Sequence, residues 1–445
     1  MRDLRKQALE SHKTVSRKAR SKATTPSSSR AASRTGTPRS SNSRNVSDDE
    51  GELSDTTQWS TNSIDELVAA DAEEIAGEGE AWRDHLLDRM NEICDRKRSS
   101  VQGREEALQS FNVLLTRHVA QEEVRMRGLE LVGAILKSVK GGQSEREVVL
   151  ALKALALVVI TDPSETLYDA VARQVKSTMR DSEFTMAKIA AIHVLSVATF
   201  YGGAAEEEVQ NVTEMFLDIV SSDGASIDEA DNAELVVTAL EEWGFLASQL
   251  EDMEDTTEPA MDTFVDQLES SDVGVQIVAG ENIALLFEKS FTGAESDDEL
   301  DDSSPDQLVT QDGEKMVRRY TVYRQQHQLE HTLAALAKAH SKRLSKKDKK
   351  SLHQTFADIL HTVEVPTRGP RYSTALDEDG REFGSRLKVQ IRSGGGKDGG
   401  RMLIDRWWKL ARLNGLKRVL REGFLVHYEG NQVVFDSLPV IVEDE

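Results

Sequence analysis

The chain has 445 residues, with 55 Lys and Arg against 78 Asp and Glu, and a net charge of −23. A hydrophobic content of 38%, only 5% aromatic residues and eight prolines favour helices built from Ala and Leu over β-sheet. The single cysteine, Cys94, excludes an internal disulfide framework and a cysteine-rich zinc site. No apolar run approaches twenty residues, so we expect no membrane span. The N-terminus lacks the apolar region of a signal peptide, so we expect no such signal.

The charge is segregated along the chain. Residues 1–47 hold twelve Lys and Arg and two acids, whereas residues 295–314 hold nine acids and no base. Residues 315–350 and 386–421 each hold eleven bases and two acids. An acidic middle with basic ends indicates that different parts of the chain meet partners of different charge.

Residues 1–63 are rich in Ser and Arg and too poor in large apolar residues to offset chain entropy, so we expect a disordered tail. Basic clusters in this tail have the spacing of a two-part nuclear import signal, although a generic basic tail is the alternative. The clusters comprise Arg5, Lys6, Arg17, Lys18, Arg20 and Lys22. Ser47 and Ser296 each begin the acid-directed kinase pattern S-D-D-E and are candidate phosphorylation sites.

Residues 80–290 have helical periodicity and repeat themselves. Small residues near the middle of successive helices serve as anchors at Ala107, Ala151, Ala190, Ala239 and Ala279. Their spacings of 44, 39, 49 and 40 residues match the period of HEAT and armadillo repeats. The pattern predicts an all-α, HEAT/armadillo-like helical-repeat solenoid of about five helix pairs.

In the last repeat, SDVGVQIVAGENIALLFE, Asp272 is predicted to start the helix. The small residues Ala279 and Gly280 are predicted to let a neighbouring helix pack closely.

The rest of the chain is less regular. Residues 291–314 are predicted to be an acidic disordered loop, and residues 315–365 basic helices that complete the solenoid, near 316–341 and 345–363. Residues 366–400 are predicted to be a loop with one short strand, LKVQI at 387–391, and residues 401–437 a small C-terminal helical region whose last helix spans 401–421.

Two basic segments are the candidate RNA- or partner-binding surface, since clustered cations favour an anionic ligand. The residues are Lys342, Arg343, Lys346, Lys347, Lys349 and Lys350 in the first segment, and Arg401, Arg406, Trp408, Lys409, Arg412, Lys417 and Arg418 in the second. Trp407 and Trp408 point about 100° apart on a helix, so we expect one in the core and the other free to pack or to stack on a base. The competing hypothesis is that the acidic loop 295–314 masks these bases within the chain.

Two stretches resemble enzyme motifs but lack residues that those motifs require. The pair His327 and His331 lacks the glutamate of an H-E-x-x-H zinc site, and GGGKDGG at 394–400 lacks the Ser or Thr and the flanking strand of a phosphate loop. We therefore expect a monomeric protein that is not an enzyme and that has no catalytic residue, no cofactor, no metal and no membrane partner.

Three stretches resemble the interferon-related developmental regulator family. They are VGVQIVAGENIALLFE before an acidic insertion, the K-x-x-x-x-x-F-x-D-[IV]-L core at Lys350, Phe356, Asp358, Ile359 and Leu360, and the R-M-x-I-D-x-W segment at Arg401, Met402, Ile404, Asp405 and Trp407. The resemblance implies a non-enzymatic regulator, since members of that family are linked to nuclear transcriptional co-regulation and to ribosome binding.

Two functions remain open at this stage. The first is translational control by a ribosome or other RNA–protein assembly bound through the concave face and the basic C-terminal helices. The second is a nuclear transcriptional co-regulator scaffold that binds chromatin or transcription proteins. Together they predict a protein found in both cytoplasm and nucleus.

Overall fold

The computed structural model describes residues 81–96, 99–294, 307–309, 314–338, 346–376, 380, 382–390, 401–439 and 442–443. The tail 1–63 with its import-like clusters, both candidate phosphorylation sites, most of the acidic loop, Lys342 and Arg343 lie outside these residues. In the described part of the chain helices predominate, which confirms the all-α helical-repeat class. None of the described helices has the length and apolarity that a membrane-spanning segment needs.

Twelve helices form six consecutive pairs in the described residues. The first three pairs are α1 Ala81–Cys94 with α2 Val101–Arg117, α3 Gln121–Gly141 with α4 Glu145–Thr161, and α5 Leu167–Asp181 with α6 Thr185–Tyr201. The next three are α7 Glu206–Ser221 with α8 Ala233–Ala247, α9 Glu254–Gln267 with α10 Val273–Lys289, and α11 Gln326–Leu336 with α12 Lys346–Glu364.

The pairs stack in two layers. The second helices, α2, α4, α6, α8, α10 and α12, each contact the next one and form what we call the second-helix layer. The first helices pack beside them, with α1, α3 and α5 in contact in turn and α7 against α9. All five predicted anchor alanines lie on second helices and are at most 6% exposed, so the repeat register deduced from the sequence is confirmed.

Polar caps explain where several second helices begin. The side-chain oxygens of Ser100, Ser144, Asn232 and Asp272 each accept a hydrogen bond from the backbone N–H three residues later. Such a cap satisfies one of the four N–H groups that the first turn of a helix leaves unpaired. The predicted helix start at Asp272 is therefore confirmed.

Short strands are present where the sequence predicted part of a helix and parts of the loops. The strands β1 Phe291–Gly293, β2 Gln307–Val309 and β3 Lys315–Arg318 form an antiparallel sheet, as do β4 Tyr372–Leu376 with β5 Glu382–Ser385, and β6 Lys388–Gln390 with β7 Arg401–Leu403 and β8 Val442–Glu443. The predicted helix at 316–341 is thus wrong at its start, and the predicted last helix begins at Trp407 rather than at 401. Strands of two to five residues are too short for alternation to reveal them, although the strand expected near 387–391 is present.

The C-terminal segment, which we define as residues 407–438, crosses the second-helix layer. It comprises α13 Trp407–Leu420, a 3₁₀ turn at Arg421–Gly423, α14 Phe424–Gly430 and α15 Gln432–Ser437. The segment starts at α10, where the Trp407 backbone N–H donates to the Glu288 carboxylate at 2.8 Å. It reaches α2 at His427, whose Nε2 donates to the Leu115 carbonyl at 2.8 Å.

The segment then turns back along the layer. The Asn431 side-chain amide donates to the Ile160 carbonyl of α4 at 2.9 Å, and the Tyr201 hydroxyl of α6 donates to that of Ser437 at 3.0 Å. Because of this cover, α4 and α6 are buried on nearly every side. A helix in a two-layer array ordinarily keeps one face open, so here the chain fills much of that face itself.

Candidate nucleic-acid interface

The polar face of α12 is the part of the predicted basic surface that the fold turns outward. Leu352, Phe356, Ile359 and Val363 are buried on the opposite face, at 4% exposure or less. Phe356 and Ile359 pack against Gly280 of α10, where a Cβ would stand 2.7 Å from Ile359 Cδ1. The glycine of the last repeat therefore lets α12 dock closely, as the sequence predicted, and this docking fixes which face of α12 meets solvent.

An open cleft of about 650 Å³ lies along that outward face. Its lining consists of Lys349, Lys350, His353, Gln354, Ala357, Asp358 and His361 from α12, with Tyr372 from β4. The α12 residues recur at intervals of three and four residues, so they form one stripe along the helix. The cleft is shallow and open to solvent, so it can receive a ligand from the side but does not enclose one.

The hairpin β4–β5 holds Tyr372 at the edge of the cleft. The Tyr372 hydroxyl donates to Glu382 Oε2 of the paired strand at 2.7 Å. Burial and this hydrogen bond raise the pKa of Tyr372, so the phenol stays neutral. The Arg368 guanidinium lies 5.4 Å from the centre of the ring.

An ion pair at the floor of the cleft joins α12 to the loop before β4. Asp358 is 7% exposed, and its carboxylate lies 3.7 Å from Arg371 Nε. Burial raises the pKa of Asp358 to about 6 even though Arg371 opposes the shift. Arg371 has a left-handed φ of 55°, which costs free energy for a residue with a side chain. The ion pair holds the loop against α12 and balances the charge of the carboxylate.

The predicted site residues fall into two groups. In the first basic segment, Lys346 and Lys347 belong to the first turn of α12, and Lys349 and Lys350 line the cleft. Residues from the second segment mostly serve the fold instead. Arg412 donates to the hydroxyl and carbonyl of Ser248, and Arg418 donates to Glu242 at 2.7 Å.

The remaining residues of the second segment are spread around α13. Arg401 lies in β7, Arg406 is the N-cap of α13, Lys409 pairs with Asp405, and Lys417 lies in the last turn. Trp407 is the core tryptophan, 3% exposed, and its indole N–H donates to the Thr362 hydroxyl at 2.7 Å. Trp408 is half-buried with the Arg412 guanidinium 4.8 Å from its ring. The second segment is therefore mainly a docking element, which the sequence pattern of alternating bases and aromatics did not indicate.

Of the eight lining residues, sequence reasoning assigned only Lys349 and Lys350 to the site, and those that it missed include His353, Gln354, His361 and Tyr372. The three on α12 follow Lys349 at helical spacing and lie opposite the apolar face at Phe356 and Ile359, so the signal was present. Tyr372 carried no such signal, because its position depends on a hairpin that the sequence did not predict.

The residues that carry the family resemblance form an ion pair or pack in the core. Asp358 belongs to the ion pair with Arg371, and Phe356 and Ile359 pack on α10. Met402, in β7, and Ile404, just after it, are fully buried, and Trp407 begins α13 three residues later. Among the described residues, no three His, Cys, Asp or Glu side chains come together as a metal site would require.

Comparisons with known proteins show which family the sequence matches. The family model described as interferon-related developmental regulator matches residues 45–364. An uncharacterised protein of Schizosaccharomyces pombe is 25% identical, covering 84% of this chain and 78% of its own length. Interferon-related developmental regulator 1 of Sus scrofa is 24% identical, with 90% and 83% covered, and interferon-related developmental regulator 2 of Mus musculus is 24% identical, with 86% and 81% covered.

Proposed function

Because the chain belongs to the interferon-related developmental regulator family, we propose that it is a non-enzymatic helical-repeat regulator that binds the ribosome or another RNA–protein assembly in translational control. The observation that carries this proposal is the outward face of α12, where a basic first turn leads into a cleft lined by Lys349 and Lys350. The rest of the second-helix layer is filled in large part by the chain's own C-terminal segment, which leaves the end of the array as the cationic surface.

Electrostatics support an RNA partner for this end of the molecule. Residues 315–350 carry eleven bases against two acids, and phosphate backbones bind such surfaces in exchange for released counterions. Binding of this kind weakens steeply as salt rises, because each phosphate contact contributes to the salt dependence.

A second candidate function is the nuclear co-regulator scaffold, and an acidic part of the chain supports it. Residues 194–288 contain 23 acids and not one Lys, Arg or His. On the first helices these acids meet solvent, as Glu206, Glu207, Asp255, Glu258 and Asp262 are all exposed. Such a surface favours a basic protein partner over RNA.

Sucrose-gradient sedimentation of cell extracts tests the leading proposal. Reversing the charge of Lys346, Lys347, Lys349 and Lys350 to Glu should move the protein from ribosomal fractions to the top of the gradient. The matched control reverses four exposed bases of the first helices, Lys137, Lys140, Arg173 and Arg180, and should leave sedimentation unchanged.

Equal behaviour of the two quadruple variants contradicts the proposal. The rival function predicts a different pattern, in which neutralising Arg17, Lys18, Arg20 and Lys22 abolishes nuclear accumulation while both gradients stay as in the parent chain. The two results separate the candidates without any further assumption about the partner.

A further inference from the structure

We propose that the cleft between α12 and β4 is a binding site for a few nucleotides of unpaired RNA, with phosphates at its Lys349 end and a base at its Tyr372 end. This inference rests on the proposed function in that it names the ligand class of the same surface. It also assigns binding roles to His353, Gln354, His361 and Tyr372.

The shape of the cleft favours a single strand. The lining residues from Lys349 to His361 extend over about 18 Å of helix, at 1.5 Å for each residue. Ala357 stands in the middle of this stripe, so no bulky side chain divides the cleft. A shallow, open channel of this length can follow an extended strand, whose bases and phosphates are both accessible, whereas a duplex keeps its bases paired and stacked inside it.

Along the channel, positively charged side chains are followed by hydrogen-bonding side chains and then by an aromatic ring, which matches the phosphate and the base of a nucleotide. Lys349 and Lys350 supply positive charge for the phosphates at one end. Gln354 and His353 offer hydrogen-bonding groups next, and Tyr372 provides an aromatic ring at the other end. Single-stranded RNA sites combine these three elements, with stacking on aromatic rings giving affinity without strong sequence preference.

His361 adds a further hydrogen-bonding group at the end of the stripe. Its side chain is half-buried and lines the cleft. An imidazole nitrogen can exchange a hydrogen bond with a ribose hydroxyl or with the edge of a base.

The adjoining hairpin extends the platform. It exposes Phe383 and Leu376, which are 56% and 64% accessible, and the Arg386 guanidinium lies 5.9 Å from the Phe383 ring. An exposed aromatic ring with a neighbouring guanidinium is the type of surface on which a further base stacks. We therefore expect a strand that leaves the cleft past Tyr372 to continue over this hairpin.

Fluorescence anisotropy of the full chain with a labelled six-nucleotide RNA of mixed A and U tests the inference. Ala357→Glu places a carboxylate in the middle of the cleft and should weaken binding at least about tenfold, since the carboxylate both blocks the channel and repels phosphate. The matched control is Ala335→Glu, the same change at an exposed alanine of α11, and it should stay within about twofold of the parent. Thermal melting of both variants checks that each is folded.

A second pair of variants tests the aromatic ring. Tyr372→Phe keeps the stacking surface and should bind like the parent, whereas Tyr372→Leu should bind about fivefold more weakly. If Ala357→Glu melts early, His361→Ala replaces it and should weaken binding as well. Equal affinities for Ala357→Glu and Ala335→Glu overturn the inference, as does competition by duplex RNA or by a phosphorylated peptide as effective as that by the single strand.

Failure of this inference is distinguishable from failure of the proposed function. If the charge-reversed α12 variant leaves the ribosomal fractions while Ala357→Glu binds the hexanucleotide normally, the cleft is wrong and the function stands. If the hexanucleotide binds as expected while the parent chain stays at the top of the gradient, the cleft stands and the ribosome assignment fails.

Discussion

Arg418 is one of the bases predicted to bind a partner, but its side chain is largely buried in an ion pair within the fold. Its Nε donates to Glu242 at 2.7 Å, and its side chain also lies 3.6 Å from the Glu241 carboxylate. His193 Nδ1 lies 2.8 Å from the same Glu242, and the Ser196 hydroxyl donates to it. Burial alone would raise the pKa of Glu242, but Arg418 and His193 lower it to about 2.

Replacing Arg418 by Met should lower the free energy of unfolding by about 3–5 kcal/mol at pH 7.5, because buried carboxylates lose their counter-charge. In the parent chain the pKa of Glu242 is lowered by folding, so its stabilisation is present above the ordinary carboxyl pKa of 4.5 and is lost as the pH falls towards 2. In the variant the pKa is raised instead, so the penalty should shrink between pH 7.5 and pH 4.5. Urea denaturation at the two pH values measures this.

The double variant Arg418→Met with Glu242→Gln provides the control for that prediction. Removing the stranded charge should recover part of the lost stability at pH 7.5 and little at pH 4.5. A penalty that is the same at both pH values would count against an ion pair as the reason for the burial of Arg418.

At the scale of elements, the docking of α13 on α8 depends on a glycine. A Cβ at Gly415 would lie 2.5 Å from the Phe245 ring, whereas a Cβ at Gly133 in α3 would meet nothing within 4 Å. Both glycines lie inside helices. The same substitution therefore separates helix propensity from close packing.

Gly133→Ala should raise the free energy of unfolding by about 0.5–1 kcal/mol, since alanine costs less entropy in a helix than glycine. Gly415→Ala should lower it by about 1–3 kcal/mol, because overpacking outweighs the gain in propensity. Chemical denaturation of both variants gives the comparison. A stabilising Gly415→Ala would mean that α13 does not pack on α8 as described.

The sequence predicted the elements that form through local interactions and missed those that depend on contacts between distant residues. The repeat helices carry local signals, such as the cap at Asp272 and the anchor at Ala279, and these were predicted. The path of the C-terminal segment depends on contacts between residues far apart in sequence, such as His427 with Leu115, and no local pattern encodes them. The hairpin β4–β5 was missed for a related reason, since its two short strands gain their stability from neighbours.

Across the whole molecule, the surface differs in charge and in how much of it the C-terminal segment covers. The C-terminal segment fills much of the second-helix layer, exposed acids dominate α7 and α9, and the basic end of the array lies at α12. The sequence pattern assigned equal weight to two basic segments. The structure places Lys349 and Lys350 along the cleft of α12, whereas Arg412 and Arg418 of α13 form hydrogen bonds within the fold. We therefore propose that RNA meets the α12 face and not the C-terminal segment.

Ultraviolet cross-linking of RNA to the full chain in cells, followed by mass spectrometry of the cross-linked peptides, tests that claim most directly. We predict cross-links within residues 346–361 and 372–386, with few or none in 407–438. Cross-links concentrated in 407–438 or on the acidic first helices, with none along α12, would contradict the account.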